Sequence, residues 1–445
     1  MYIKESKEHQ YSFTHDWFVV PDLDQEHEII KITKAIDWLS LSDNLARFYC
    51  PDNGRPTKPA RAKVGLLILK HLYKMSDTDV VDLLKRDIYA QYLCDVSLKE
   101  AKDFLNPSSL TKFRKQIGLE GIKLIEQEAL NSLKRANLLK GRKLVTDTTV
   151  VPSDIAYPTD ISLLEKIRNK AIGYLDIARQ FGSKRFRTYK RIARKVYIQF
   201  TKIRHHTIKS RRKVQKQLLQ FSRRNIQQLK EAMLRLSKSI GNDLDKTKAH
   251  LLKEAESFLD VAYKVLTQQK DVCKKLPVKE RIVSIHQPHI RPMVRGKYPV
   301  EVEFGPKILL NLKDNLLFLE DLKFNNVSDT NLLDTAIKGY KEHFGNLPTQ
   351  LATDRGFWSP ENLRLAYDYG ISKIAMENKG KSSYLKGKPF RERLRRLRCS
   401  IEARISLAKR KYGLDRIRYR MPQGEEMWIR IGLISMNLKT AVGCG

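Results

Sequence analysis

RKLVTDTTVV, residues 142–151, decides the fold class: β-branched residues fill it, and it is too short and too apolar for a surface helix. It reads as a buried strand that starts after Gly141 and ends at Pro152. In its middle stands Asp147, a charge that is costly to bury unless it is paired or bound to a cation. A second stretch, QLATDRGFW at 350–358, repeats the device: a short strand ends and Asp354 follows at once, with Gly356 letting the backbone turn away. Sites of open α/β sheets gather at such strand ends.

Beyond these two stretches, strand-like segments occur at RIVSIHQ (281–287), VEVEFGPKILLNL (300–312), TQLAT (349–353) and ISKIAM (371–376). An amphipathic helix is expected from Ser328 through Phe344, with Leu332, Leu333, Ala336, Ile337 and Tyr340 on its apolar face. Another starts at Ser359-Pro360, where Ser is the N-cap and Pro the first helical residue. A last long helix covers about Phe390 to Tyr412. Three strands, then helix, strand, helix, strand, helix is the order of a ribonuclease-H-like α/β core, a mixed sheet flanked by helices.

Two further regions surround that core. Residues 1–135 read as an all-α domain, in which VGLLILKHLYKM and TDVVDLLKRDIYAQYL carry apolar residues at helical spacing and Ser76 with Asp79 supplies an N-cap. Two helices joined by a tight polar turn suggest a helix-turn-helix-like DNA-binding domain; a plain helical bundle without DNA contacts is the alternative. Arg61, Lys63, Lys70 and Lys74 are its expected phosphate contacts, and a further helix from Pro107-Ser108-Ser109 carries Lys112, Arg114 and Lys115. The core is expected over 141–445, interrupted at 161–278 by a basic helical insertion with almost no acidic residues before Glu231. Arg211, Arg212 and Lys213 lie there, with Phe186 and Tyr189 placed among the cations. Either the insertion is a solvated hairpin packed on itself, or it is an arm along DNA phosphates with those aromatics among the bases; uncompensated like charge favours the arm.

Charge points to the same partner. With 85 Lys and Arg against 50 Asp and Glu, the formal net charge is +35, the footprint of a polyanion-binding protein. Histones share that footprint, so charge names a partner and no chemistry. The five cysteines have no CxxC pair and no zinc spacing, which disfavours a zinc site and a disulfide framework and fits reduced thiols. No apolar run nears the roughly 20 residues that span a bilayer, and MYIKESKEHQ is no signal peptide. A cytoplasmic, DNA-associated protein without a membrane partner is expected.

The third carboxylate is read from the last helix. Leu394, Leu397, Ile401, Ile405, Ala408 and Tyr412 form its buried stripe, and Arg391, Arg395, Arg398, Glu402 and Lys409 fall on the adjacent face. Alone, Glu402 among those cations is an ordinary surface ladder. With Asp147 and Asp354 it completes an all-oxygen donor set that suits two Mg²⁺ or Mn²⁺ ions and in-line attack on phosphorus. Asp154, Asp160, Asp329, Glu361 and Asp368 lie near the same segments, and spacing does not exclude them.

The run Arg398, Glu402, Lys409 is similar to the Y-R-E-K signature of the bacterial DDE transposases of the group named after insertion sequences four and five. VTDTTVVPSDIAYPTD, ATDRGFWSPEN and IEARISLAKRKYGLDR resemble that group's three catalytic blocks, and GRPTKPARAKVGLLILKHLYKMSD resembles its helical N-terminal domain. The resemblance implies a transposase that binds terminal inverted repeats, cleaves the ends by metal-dependent hydrolysis and transfers the 3′-hydroxyls to target DNA. It implies Asp147, Asp354 and Glu402 as the metal-binding triad, Arg398 and Lys409 on the transposon end, and a homodimer in the synaptic complex. Two departures stand out: Arg395 occupies the place of the signature's tyrosine, and the insertion follows the first strand rather than lying between the second and third acids. The rival readings are a nuclease or resolvase that cuts without joining, and a DNA-binding descendant that has lost catalysis.

Overall fold

The computed structural model describes residues 23–51, 53, 56–238, 246–294, 302–376 and 388–443, with the side chains of 246 and 388–395 excepted. Contacts divide the chain into two units, one formed by the residues up to Asp154 and from Pro306 onward, the other by Ile155–Gly305.

The first unit is built on a mixed five-stranded sheet. Its strands are β1 (Lys143–Val150), β2 (Lys307–Lys313), β3 (Leu316–Lys323), β4 (Gln350–Thr353) and β5 (Lys373–Met376), in the order β3-β2-β1-β4-β5. β1 runs antiparallel to β2 and parallel to β4; β3 is antiparallel to β2 and β5 parallel to β4. This arrangement is compatible with a ribonuclease-H-like core. The side-chain period of two sends Val145 and Asp147 to one face of β1 and Leu144, Thr146 and Thr148 to the other. Val145 packs with Ile401, Ile405 and Ala408 of the helix Lys388–Lys411, whereas Leu144 packs with Leu333, Ile337 and Phe357.

Two strand expectations are corrected. Residues 281–287 form no strand; they lie in the second unit, where the Gln268 side chain bonds both the N–H and the C=O of Ile282. Their place in the sheet is taken by Leu316–Lys323. That strand closes a hairpin on β2 through Asp314 and Asn315, both at positive φ, as a two-residue turn matching strand twist requires. The stretch 300–312 is also two elements: Val302–Phe304 pairs with Pro292–Val294 in the second unit, and β2 starts after Gly305-Pro306.

Among the described residues, seven helices precede the sheet: Glu28–Ala35, Trp38–Ala46, Ala60–Leu72, Asp77–Arg86, Ile88–Cys94, Leu98–Ala101 and Pro107–Arg135. The expected capping box is present, Ser76 Oγ accepting from Asp79 N and Asp79 Oδ2 from Ser76 N. These helices and the sheet share one apolar cluster, which a helix not expected from the sequence, Gly424–Val442, completes. Ser435 Oγ of that helix donates to the Ile68 carbonyl at 3.2 Å, Arg430 pairs with Glu126, and the Trp428 ring meets His71 edge-on at 4.5 Å.

The helix Ala60–Leu72 is buried along its whole length, which changes the role of its cations. Arg61 donates to the carbonyls of Leu93 and Tyr92, and Lys63 reaches the Tyr49 hydroxyl at 3.2 Å. Lys70 and Arg114 both pair with Asp77, at 2.6 and 2.5 Å. The expected phosphate contacts of Arg61, Lys63 and Lys70 are therefore corrected: these charges, like that of Arg114, are taken up inside the unit. Lys74 is exposed and bonded to Asp415 at 2.8 Å, while Lys112 and Lys115 are exposed.

The second unit, wider than the expected 161–278, is helical: Asp160–Gln180, Lys190–Thr201, Ile208–Lys238 and Lys246–Lys274, with the small ribbon of 292–294 and 302–304. Leu164, Ile167, Leu218, Ile226, Leu229, Phe258 and Val265 fill its core.

Candidate active site

Asp147 and Asp354 are brought side by side by register. Thr146 of β1 pairs with Thr353 of β4, so the next residue on each parallel strand is a carboxylate, and the alternation of side chains puts both on the face that the helix Lys388–Lys411 covers. Asp354 caps the turn Arg355–Phe357 without a side-chain bond to it; its carboxylate is turned to Arg398 instead. Ile401, Ile405, Ala408 and Tyr412 are buried, as the expected stripe requires, and Glu402 is therefore turned to the exposed flank.

Arg398 links the second and third acids: its Nη2 lies 2.8 Å from Asp354 Oδ1 and 3.8 Å from Glu402 Oε1. Asp147 is half-buried. Burial raises its carboxyl to about 7, and the charges of Asp354, Asp329 and Glu402 push the same way, against a backbone bond from Thr148 that lowers it. Desolvation first and neighbouring carboxylates second disfavour its charged form, and all the donors of the cluster are hard oxygens. Divalent Mg²⁺ or Mn²⁺ fits such a set. Among the described residues no three His, Cys, Asp or Glu side chains already stand at metal-ligand spacing.

Asp329 was one acid among several in the sequence; the structure gives it a specific place. Its Oδ1 accepts from Thr148 Oγ1 at 2.8 Å and pairs with Lys307 Nζ at 2.6 Å, on the opposite face of β1 from Asp147. Its Oδ2 packs so closely on Gly356 that a Cβ there would come within 2.5 Å. Asn362 then ties both loops, donating to the carbonyls of Thr330 and Phe357. The glycine two residues after Asp354 was the available signal.

The other candidates are dispersed. Asp154 pairs with Arg420 and Arg416, Asp160 with Arg281 in the second unit, and Glu361 and Asp368 are exposed on the helix Pro360–Asp368. Lys409 donates to the Val150 carbonyl at 2.8 Å, pinning its helix to the end of β1. The side chain of Arg395 lies outside the described residues. Arg211, Arg212 and Lys213 are exposed at the start of the helix Ile208–Lys238 in the second unit. Between Asp176 and Glu231 that unit carries 18 Lys and Arg and no acid.

A mixed α/β sheet with one carboxylate inside its central strand and a second just past the end of the parallel strand beside it is the class of catalytic domain these observations define. Comparison narrows it. Residues 20–116 match the model of a family described as a transposase domain, and residues 307–438 match that of the transposase DDE domain. The second match takes in Asp354, Arg398 and Glu402, while Asp147 lies outside both. A Rhizobium meliloti protein described as "Uncharacterized protein ORF8 in nfe locus" is 27% identical over 180 residues, 40% of this chain and 85% of the relative. No solved structure matches. The chain belongs to the DDE transposases of insertion sequences.

Proposed function

We propose that this transposase, of the group of insertion sequences four and five, binds the terminal inverted repeats of its element, hydrolyses the phosphodiester at each end and joins the freed 3′-hydroxyls to target DNA. The observation that carries the reading is the adjacency of Asp147 and Asp354 on parallel strands, under the helix that bears Glu402 and Arg398.

Asp147, Asp354 and Glu402 would hold two Mg²⁺ or Mn²⁺ ions. Bound there, the metal supplies Lewis acidity that activates water or a 3′-hydroxyl and offsets charge on the leaving oxygen. The chain's own residues supply the rest. Burial and neighbouring carboxylates keep Asp147 in an environment that favours a cation. Arg398 offsets charge between Asp354 and Glu402. Lys307 and Thr148 fix Asp329 behind β1, and Asp329 in turn supports the backbone that follows Asp354.

Duplex DNA is the partner. Its contacts fall to the exposed cations of the second unit, Arg211, Arg212 and Lys213 among them, and in the N-terminal helices to Lys112 and Lys115. Joining two ends calls for a homodimer in the synaptic complex, acting in the cytoplasm on cellular DNA. Incubating the protein with a pre-cut terminal-repeat duplex and a supercoiled plasmid tests the joining step: covalent repeat–plasmid products support it. Hydrolysis without any joined product makes the chain a nuclease.

A further inference from the structure

We propose that Arg187 and Arg224, mounted together on the ring of Tyr189, form a fixed grip for the phosphodiester backbone of duplex DNA; the choice of duplex DNA as ligand rests on the transposase reading above.

The grip starts from a loop that is basic yet ordered. Residues 183–189 read SKRFRTY and connect two helices of the second unit. Buried Asn225 donates to the Thr188 carbonyl at 3.2 Å, and Gln228 donates to the Arg187 carbonyl at 3.2 Å, so the helix Ile208–Lys238 holds the loop backbone from two sides. Lys184 is drawn to Glu231 at 2.7 Å, and the same carboxylate takes Arg235 at 2.7 Å. That exhausts the acid on the nearby helix.

Tyr189 stands at the loop's end with φ of 52°, a left-handed conformation that a tyrosine adopts only when its surroundings impose it. The guanidinium carbons of Arg187 and Arg224 lie 4.8 and 4.6 Å from its ring centroid. A cation over an aromatic ring is attracted by the ring's quadrupole, and the ring thereby limits where each guanidinium can go. The ring that the sequence placed among the bases carries two cations of this chain.

Two guanidiniums on one ring repel each other, and among the described residues neither is paired with a carboxylate. Both are exposed. An arrangement that holds two planar, permanently charged forks within 4.8 Å of one ring centroid, with no carboxylate on either, is complementary to the phosphate oxyanions of a backbone. The run of 18 cations without an acid around them extends well beyond what one small anion needs and matches a polyanion that passes along the unit.

The test uses the full chain and a random-sequence duplex of about 30 base pairs, with affinity followed from about 0.05 to 0.3 M KCl. Removing both charges, Arg187→Ala with Arg224→Ala, is expected to weaken binding by about tenfold or more near 0.1 M salt and to lower the slope of log K against log salt by about two. Tyr189→Leu keeps both charges and is expected to weaken binding with a smaller change in slope, while Tyr189→Phe binds as the wild type does. Inorganic phosphate at matched ionic strength is expected to compete no better than chloride. Wild-type slope in the double variant overturns the grip, and so does Tyr189→Leu binding like the wild type. Saturable inorganic phosphate binding that the double variant loses, with the DNA slope unchanged, makes it a free-anion site instead. A wild type that binds and cuts DNA while the double variant keeps its slope removes the grip alone; a wild type that binds no DNA removes the transposase reading with it.

Discussion

Arg398 Nη2 sits 2.8 Å from Asp354 Oδ1 and 3.8 Å from Glu402 Oε1, so one guanidinium offsets charge on two of the three acids. The three groups are partly exposed, and an ion pair of that kind contributes little to stability, about 0–1 kcal/mol. Arg398→Ala is therefore expected to leave the melting temperature nearly unchanged while lowering the rate of end cleavage by about 10²-fold or more, the scale of losing one preorganised electrostatic donor. Arg398→Lys, a point charge without the fork, is expected to recover only part of the rate. Thermal melts beside single-turnover cleavage check both. A cleavage rate equal to wild type contradicts the assignment.

Asp329 and Gly356 act as a pair. A methyl group at 356 would meet Asp329 Oδ2 at 2.5 Å, so Gly356→Ala is expected to destabilise by about 1–3 kcal/mol through overpacking. Asp329→Ala leaves the nearly buried Lys307 ammonium without its carboxylate, at a cost of about 2–3 kcal/mol. The two costs are not additive, because removing the carboxylate makes room for the methyl. Urea denaturation of both single variants and the double variant gives the coupling, and simple additivity would show that the two residues do not touch.

Lys63 supplies a pH test. Burial lowers its amine to about 8, below the 10.5 of an exposed lysine. The unfolded chain thus binds more protons than the folded chain between those values, so this group makes stability rise with pH from about 8 to 10.5, and its penalty is full below pH 8. Lys63→Met is expected to stabilise the protein at pH 7 by up to about 3 kcal/mol, since each tenfold loss of proton affinity on folding corresponds to about 1.4 kcal/mol. The gain should shrink by pH 9. Duplex affinity should not change, since the ammonium lies under the surface against Tyr49. Weaker DNA binding by Lys63→Met returns this residue to the interface.

The helix Gly424–Val442 is predicted to be indispensable to the N-terminal helices. A Cβ at Gly432 would come within 2.4 Å of Leu414 Cδ1 and 2.9 Å of the Tyr412 carbonyl. Gly432→Ala is expected to lower stability by about 1–3 kcal/mol, in one cooperative transition with the rest of the unit. Circular dichroism melts with a second probe at Trp38 check the cooperativity: coincident transitions are expected, and an independent melt of the Trp38 region argues for a separate N-terminal domain.

Local signals were legible where one residue forces one outcome. Asp147 in a β-branched run, Asp354 before Gly356 and Ser359-Pro360 opening a helix each appear where the sequence places them. The stripe from Ile401 to Tyr412 likewise fixed the exposed side of Glu402. What failed was non-local. Nothing in RIVSIHQ says that a glutamine side chain, rather than a neighbouring strand, takes up its backbone groups, and LLFLEDLK is a strand because the Asp314-Asn315 turn folds it onto β2. Arg61 and Lys63 looked like surface cations because helical periodicity does not reveal that the carbonyls of Tyr92 and Leu93 and the rings of Tyr49 and Phe113 close around them. Asp329 could not be singled out from the other candidate acids for the same reason: its partners are Thr148 and Lys307, 181 residues before it and on the next strand.

If Asp147, Asp354 and Glu402 act as one metal-dependent centre, each is needed for Mg²⁺-dependent cleavage of a duplex carrying the element's terminal repeat. The decisive comparison sets wild type beside Asp147→Ala, Asp354→Ala and Glu402→Ala on that duplex. A 3′-hydroxyl end is expected from the wild type and, from each variant, intact DNA binding with cleavage lost. Cleavage that persists in any one of the three variants contradicts the shared centre.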